Sequence, residues 1–262
     1  MAGSSQSQGK PKIPGKGSRS KSKGWFRPLR WLRFIIIWFF LSTAAAVLFF
    51  RFVPPPLTPL MAIRYWEALA DDHQPRLRKT WRPLEKISPH LAAAVIASED
   101  QLFVEHWGFD WQAILSAFAI NETGKRKLGA STITQQTAKN LFLWPTRTWT
   151  RKALEAYFTL LLEILWSKHR ILEVYLNITE MGDGVYGAEA AAKKYFGVSA
   201  SNLDRNQSAL IAACLPKPRA WSPGNPTAYL LHRQTWILLQ MDHQGPLPKE
   251  IAGGGPKSSG GN

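Results

Sequence analysis

The run of apolar residues that begins at Phe34 constrains this chain more than any other feature. Seventeen residues lie between Arg33 and Arg51, and Ser42 and Thr43 are the only polar ones among them. As a helix with a rise of about 1.5 Å per residue they would cover about 26 Å, and the flanking arginine side chains can extend toward the membrane surface. The sequence therefore predicts a helix that spans a bilayer.

The distribution of charge predicts the orientation of that helix. Residues 1–33 contain nine Lys or Arg and no acidic residue, within a chain of net charge +15. Basic flanks of membrane helices stay in the cytoplasm, so everything after residue 53 would lie outside it. A cleaved signal peptide is the alternative, because residues 43–46 read TAAA. The apolar run continues to Phe50, however, and this favours an uncleaved anchor.

Composition argues against two other classes of protein. Most of the excess positive charge lies beside the predicted membrane span, where anionic lipid accounts for it, so a nucleic-acid-binding protein is disfavoured. The six histidines have no zinc-ligand spacing, and the single cysteine, Cys214, lacks a partner for a disulfide or a metal site. A structural metal is therefore not predicted.

After the membrane segment the chain reads as one mainly helical domain. Apolar residues recur every three or four positions from Ala62 to Met241, and no convincing alternation indicates strands. A proline-rich stretch before this region suits a stiff linker, and a Gly- and Ser-rich end suits a flexible tail. The predicted segments are a basic tail (1–33), an anchor (34–53), a linker (54–61), the domain (62–245) and a flexible tail (246–262).

Two adjacent acids, Glu99 and Asp100, follow the apolar run LAAAVI, where a core segment would continue. A helix over residues 91–106 would carry Glu99 on a largely apolar face, together with Ala92, Ile96, Phe103 and His106. Burial penalises the charged form and raises the pKa of a carboxyl group, which suits a general base near neutral pH. A helix-end acid paired with a nearby Arg or His is the alternative that this stretch leaves open.

Residues 128–143, LGASTITQQTAKNLFL, read as a glycine-led turn that enters a helix capped by Ser131 or Thr132. On this helix one face carries Thr132, Gln136 and Lys139, with Gln135 beside them. Helix N-termini attract anions, and hydroxyl and amide groups suit sugar hydroxyls and phosphate oxygens. The alternative is an ordinary helix face exposed to solvent. Surface helices usually carry both acidic and basic residues, however, whereas this stretch holds one Lys and no acid.

A third polar pattern interrupts an apolar stretch at residues 153–166. Glu155, Thr159 and Glu163 follow one another at intervals of four residues, and Arg151 lies four residues before Glu155. On a helix they form a stripe about 120° wide. Because a helix that is apolar on its other sides is buried, the stripe would face a wet cleft or form an internal ion pair between Arg151 and Glu155.

Together these motifs resemble the monofunctional peptidoglycan glycosyltransferases, relatives of the glycosyltransferase domain of bifunctional penicillin-binding proteins. The motifs of that family match, in order, the Glu-Asp stretch at 99–110, STITQQ at 131–136, RK with Glu at 151–155, KHRILEVYLN at 168–177 and GVYGAEAAAKKYFG at 184–197. One departure is Ala130, where the family often has a second glycine. A Ser-x-x-Lys transpeptidase motif does not follow.

The resemblance implies a mainly α fold with a lysozyme-like lobe, a smaller membrane-proximal jaw and one N-terminal transmembrane helix. It implies a polymerase that transfers the growing glycan chain from undecaprenyl pyrophosphate to the 4-hydroxyl of lipid II with inversion, which gives β-1,4 links. The expected location is the bacterial cytoplasmic membrane, with a Gram-negative inner membrane favoured and the catalytic domain on the periplasmic side. Expected partners are lipid II, the lipid-linked glycan and membrane lipids, with cell-wall synthesis or division proteins as further candidates and no nucleic acid.

The resemblance also implies roles for individual residues. Glu99 would be the general base, and Glu155 a second catalytic carboxylate near the donor pyrophosphate. The substrate-binding residues would be Ser131, Thr132, Gln135, Gln136, Lys139, Asn140, Arg151 and Lys152. The residues that brace the site would be Asp100, Phe103, His106 and Gly108. A divalent cation, Mg²⁺ or Mn²⁺, is compatible with these roles, although no dedicated ligand set is visible.

Two other functions remain as alternatives. A lytic transglycosylase or muramidase also uses a Glu at a helix end of a mainly α fold, but it does not need Lys139, Arg151 and Lys152 around a pyrophosphate. A non-enzymatic membrane scaffold of the cell-wall machinery would tolerate Glu99→Gln without loss of function. The number of matched motifs favours the polymerase.

Overall fold

The computed structural model describes Gly3 and residues 26–70, 76–122, 131–146 and 148–252. Most of the predicted basic tail, Ala130, and residues 253–262 of the predicted C-terminal tail lie outside these ranges. Helices predominate, as the sequence predicts. They are α1 (Phe26–Phe52), α2 (Pro59–Ala70), α3 (Pro89–Glu99), α4 (Trp111–Glu122), α5 (Ile133–Phe142), α6 (Trp149–Leu165), α7 (Lys168–Ile178), α8 (Ala188–Phe196), α9 (Arg205–Cys214), α10 (Ala228–Gln244) and α11 (Lys249–Ala252).

Helix α1 contains the predicted membrane segment. Its residues Arg30–Phe52 form a stretch of 23 residues that is long and apolar enough to cross a bilayer. The chain divides into two compact units inside this helix, Met1–Thr43 and Ala44–Asn262.

The last turns of α1 belong to the second unit and are tied to its helices. The indole Nε1 of Trp166, the residue that caps the C-terminus of α6, donates a hydrogen bond to the carbonyl of Val47 at 2.8 Å. The Arg170 guanidinium, in the first turn of α7, donates to the carbonyl of Phe50 at 2.8 Å. The proline-rich segment is held as well, because Lys79 donates to the carbonyls of Pro55 and Pro56.

Helix α7 lies among α5, α8 and α11 and forms the centre of the core. Six of its apolar side chains are fully buried, namely those of Ile171, Leu172, Val174, Tyr175, Leu176 and Ile178. Each large apolar side chain buried in this way stabilises the fold by about 1.5–3 kcal/mol. The core therefore forms a rigid backing for α5, the helix that carries the second sequence motif.

A short three-stranded sheet is a feature that the sequence analysis missed. Its strand order is β1 (Arg78–Lys79), β3 (Val185–Tyr186) and β2 (Glu180–Gly182), with β1 parallel and β2 antiparallel to β3. Strands of two or three residues are too short to show the alternation by which strands are recognised in a sequence.

The prediction of one helix over residues 91–106 is wrong, because α3 ends at Glu99. The next residue, Asp100, leaves the helical conformation, with φ −164° and ψ 78°. Its carboxylate turns inward to accept a hydrogen bond from the first amide of α5. Turns then follow in place of helix, so Phe103 and His106 reach the site from a loop. Glu99 is consequently the last residue of a buried helix.

Candidate active site

Asp100 connects the end of α3 with the start of α5. Its Oδ2 accepts a hydrogen bond from the backbone amide of Ile133 at 2.9 Å, and its Oδ1 accepts one from Nε2 of His106 at 2.7 Å. His106 Nδ1 accepts from the amide of Gly108 at 3.1 Å. Because a backbone amide can only donate, the ring proton lies on Nε2. Both oxygens of the buried Asp100 carboxylate are therefore satisfied by the protein, which suits the predicted bracing role.

Thr132 is the N-cap of α5, one of the two caps that the sequence predicts. Its Oγ1 accepts from the amide of Gln135 at 3.2 Å, while Gln135 Oε1 accepts from the amide of Thr132 at 3.1 Å. Such a reciprocal capping box satisfies two helix-end amides and stabilises the helix by about 1 kcal/mol. Thr132 also donates to the carbonyl of Gly108 at 2.7 Å. The side chains of Thr132 and Gln135, both predicted to bind substrate, thus form hydrogen bonds within the protein.

Glu99 is half-buried and is held by the first turn of α5. Its Oε2 accepts from Nε2 of Gln136 at 2.8 Å, and Gln136 Oε1 accepts from the hydroxyl of Tyr175 at 3.2 Å. Oε1 of Glu99 accepts no hydrogen bond from the described residues. Burial raises the pKa of Glu99, although the hydrogen bond from Gln136 and the charges of Arg233 and Lys139 oppose the increase. A carboxylate with a raised pKa and one free oxygen is suited to accept a proton.

Three cations surround the second carboxylate, which belongs to Glu155. This residue is 3% exposed, and its two oxygens pair with Arg151 at 2.7 Å and with Lys152 at 2.5 Å. Lys139 lies close enough for Glu155 to raise its pKa, although burial, the dominant effect, lowers that pKa and the charges of Arg151 and Lys152 lower it further. In the described ranges the Lys139 ammonium forms no ion pair. Three cations and one carboxylate leave an excess of positive charge that suits a phosphate-bearing ligand.

The other predicted site residues lie at the margins of this group. Ser131 is exposed just before α5, and Asn140 is buried in its last turn. Phe103 is fully buried, with the Lys168 ammonium 4.8 Å from the centre of its ring. Phe103 is therefore enclosed by the protein, and bracing of the site stays its predicted role.

A buried ion pair behind the site received no role in the sequence analysis. Lys168 Nζ donates to Glu163 Oε1 at 2.8 Å and to the carbonyl of His106 at 2.6 Å. The same Glu163 oxygen accepts from the hydroxyl of Thr134 at 2.6 Å. These bonds tie α5, α6 and α7 to the loop that carries His106. The four-residue period that ends at Glu163 was the available signal, but the internal ion pair that the sequence analysis named was the one between Arg151 and Glu155.

Gly108 occupies a position that strongly favours glycine. Its φ is +76°, a conformation that residues with a side chain rarely adopt. A Cβ atom there would lie 2.6 Å from Cγ2 of Thr159 and 3.0 Å from Cγ of Glu163. The loop therefore packs directly on α6, and this contact places the Gly108 amide against His106.

We expect Gly108→Ala to lower the free energy of unfolding by about 1–3 kcal/mol, because it adds both backbone strain and a steric clash. Chemical denaturation of the two proteins measures the difference. The double variant Gly108→Ala/Thr159→Ser is the control, since serine lacks the obstructing Cγ2 but keeps the hydroxyl that donates to the Glu155 carbonyl. The double variant should recover the part of the lost stability that is due to the clash with Cγ2 of Thr159. The part that is due to backbone strain at residue 108 should remain lost. Equal stability of Gly108→Ala and the wild type would contradict this account.

The described part of the chain contains no group of three or more His, Cys, Asp or Glu side chains that could hold a metal ion.

The fold and the site define an enzyme of a particular kind. A half-buried carboxylate can deprotonate a hydroxyl group, and the adjacent cations can stabilise a phosphorylated leaving group. The sequence comparisons agree with this class: a family model described as transglycosylase matches residues 67–242, and the chain belongs to that family. The matched residues lie within the predicted domain of 62–245.

Proteins named biosynthetic peptidoglycan transglycosylase are similar to this chain over most of their length. The one from Ectopseudomonas mendocina is 52% identical over 211 residues, which are 80% of this chain and 87% of the relative. The one from Bacteroides thetaiotaomicron is 54% identical over 214 residues, or 82% and 86%. The one from Bdellovibrio bacteriovorus is 52% identical over 214 residues, with the same two shares of 82% and 86%.

Proposed function

We propose that this protein is a peptidoglycan glycosyltransferase that polymerises lipid II. The observation that supports it best is the pairing of a proton-accepting carboxylate, Glu99, with the cations around Glu155. A transfer of sugar from a lipid diphosphate to a hydroxyl group needs both parts. The family and the names of the relatives agree with a peptidoglycan substrate.

In the proposed reaction Glu99 accepts the proton of the 4-hydroxyl of lipid II. That oxygen forms a bond to the anomeric carbon of the growing glycan chain, and the bond from this carbon to the undecaprenyl pyrophosphate breaks. The bonding electrons go to the leaving pyrophosphate oxygen, whose charge Lys139, Arg151 and Lys152 offset. Attack from the side opposite the leaving group inverts the carbon and gives a β-1,4 link. Charge stabilisation of this kind contributes several kcal/mol to the rate.

Glu155 supports the reaction by orienting two of these cations. Its oxygens hold the Arg151 guanidinium and the Lys152 ammonium at 2.7 and 2.5 Å. Because Glu155 is buried, it cannot relax into solvent when the substrate binds or leaves. We therefore assign Glu155 to the second catalytic position through its effect on the pyrophosphate surroundings.

The proposed location is the bacterial cytoplasmic membrane, with a Gram-negative inner membrane favoured. Helix α1 would anchor the protein, its basic N-terminal side would face the cytoplasm, and the catalytic domain would lie outside. This arrangement gives the domain access to a substrate that is itself anchored in the bilayer. Partners beyond lipid II, the lipid-linked glycan and membrane lipids would be proteins of cell-wall synthesis or division.

The rival function is cleavage of the same glycan by a lytic enzyme. Cleavage also needs an acid or base such as Glu99, but it releases no pyrophosphate and gives the cluster of Lys139, Arg151 and Lys152 nothing to stabilise. The charge arrangement therefore favours synthesis.

The test is incubation of the full-length protein, in detergent, with fluorescent lipid II and separately with preformed glycan. We expect long polymer from lipid II that a muramidase digests, and no shortening of preformed glycan. Gel separation of the labelled products measures both reactions. Shortening of glycan without polymer formation would move the assignment to the lytic class. If the protein catalyses neither polymerisation nor shortening, a non-enzymatic scaffold would be favoured.

A further inference from the structure

Helix α2 carries an exposed apolar stripe, formed by Ala62, Tyr65, Trp66 and Leu69. These residues recur at the three- and four-residue spacing of one helix face. At about 100° per residue they fall within an arc about 100° wide. Trp66 is 68% exposed, and Tyr65 and Leu69 are 41% and 44% exposed. Large apolar side chains that are grouped on a surface indicate contact with another molecule or with a membrane.

The opposite side of α2 is fixed on the domain, so the stripe cannot turn inward. Met61 is fully buried, and α2 packs against α5, the helix that carries the second sequence motif. Thr58 caps the start of α2, because its Oγ1 accepts a hydrogen bond from the amide of Met61 at 3.3 Å. Glu67 lies outside the stripe and pairs with Arg64 at 2.6 Å. A rotation that buried the stripe would expose Met61 to water, which is unfavourable.

The segment that joins α1 to α2 is held against the same domain. Helix α2 begins seven residues after the end of α1, and a fully extended chain of that length spans at most about 25 Å. Arg170 donates a hydrogen bond to the carbonyl of Val53 at 3.1 Å, and Lys79 donates to the carbonyls of Pro55 and Pro56. The start of α2 is therefore held within a short distance of the point at which the chain would leave the bilayer.

A bilayer surface fits the stripe better than a protein partner does. Trp and Tyr are enriched at membrane interfaces, because each has an apolar body and a polar group that can reach water. A helix of this kind can lie in the interface with its apolar face buried about 5–10 Å into the headgroup boundary. A stable protein interface buries about 800 Å² on each partner, more than one alanine and three partly exposed large side chains supply.

We propose that α2 is an interfacial helix whose apolar stripe enters the headgroup region of the bilayer that α1 crosses. This inference rests on the proposed function and its membrane location. It gives the domain a second contact with the membrane, through a helix that packs on α5. Because α5 carries Gln136 and Lys139 of the candidate site, this contact holds the site near the headgroups, where the pyrophosphate of a lipid-linked substrate lies.

Depth-dependent fluorescence quenching in lipid vesicles tests the contact in the full-length protein. Trp66→Cys and Leu69→Cys are prepared separately and coupled to an environment-sensitive thiol label. Cys214 does not compete for the label, because it is buried and burial raises the pKa of its thiol to about 12. The vesicles contain lipids brominated at the headgroup end of their acyl chains. We expect the bromines to reduce the emission of both labels by about half, because an interfacial helix reaches that depth.

Two further labelled variants control the measurement. Glu67→Cys is the matched control, because Glu67 follows Trp66 directly and is exposed outside the stripe, so its label should keep nearly full emission. Leu41→Cys places the label in the middle of the membrane segment of α1, where lipids brominated near the ends of their acyl chains should quench it.

Labels at positions 66 and 69 that are quenched no more than the label at position 67 would overturn the proposal. Blue-shifted emission at these positions without quenching would also overturn it, because a second copy or another protein would then cover the stripe. Absence of quenching at position 41 would instead reject the proposed membrane location, so the two failures are distinguishable.

Discussion

Glu99→Gln should reduce the rate of lipid II polymerisation by about 10²–10⁴-fold, the usual contribution of a general base. Glutamine has the same shape and can still accept the hydrogen bond from Gln136 through its amide oxygen, but it cannot take up a proton near neutral pH. The initial rate of polymer formation from labelled lipid II measures the loss. Glu105→Gln is the matched control, because Glu105 is exposed in the loop after α3 and should leave the rate unchanged.

The same variant should not destabilise the protein, and this separates a catalytic role from a structural one. Burial raises the pKa of Glu99, so in the folded protein the ionised form is disfavoured relative to the unfolded chain. Its ionisation therefore opposes folding at neutral pH, and the neutral glutamine removes that opposition. We expect a melting temperature equal to or above that of the wild type. Wild-type polymerisation by a folded Glu99→Gln protein would show that another group is the base.

The sequence predicts which segments form the site, but it predicts the geometry between those segments less well. A cap at Ser131 or Thr132 was predictable because an N-cap depends on residues three apart in the chain, and the structure places it at Thr132. The mainly α fold was predictable from the recurrence of apolar residues. The end of α3 at Glu99 was not, because Asp100 is drawn out of the helix by an amide at Ile133, 33 residues later in the chain.

The sheet strands were missed for a different reason, since two residues such as Val185 and Tyr186 cannot display a period. Resemblance to a family supplied the candidate roles, but the hydrogen bonds and charges around each carboxylate could come only from the folded chain.

The second large effect is expected for Glu155→Gln, which should lower both stability and activity. The Arg151 side chain is only 12% exposed, so loss of its carboxylate partner leaves a largely buried charge without compensation. Breaking a buried ion pair in this way costs about 3–5 kcal/mol. The Lys152 side chain is 46% exposed, so water can replace its partner and its part of the loss should be small. Denaturant titration measures the change in stability.

The matched control is Glu173→Gln, because Glu173 forms a comparable ion pair with Arg170 at 3.1 Å, and both side chains are 12% exposed. Both variants should lose stability. Assayed at a temperature where each protein is fully folded, only Glu155→Gln should lose polymerase activity, by about 10²-fold, since removal of one preorganised electrostatic group costs that much. The pKa of Lys139 should fall as well, because Glu155 raises it in the wild type, and the variant should therefore lose its remaining activity at a lower alkaline pH. Equal activities of the two folded variants would show that Glu155 supports the fold and not the reaction.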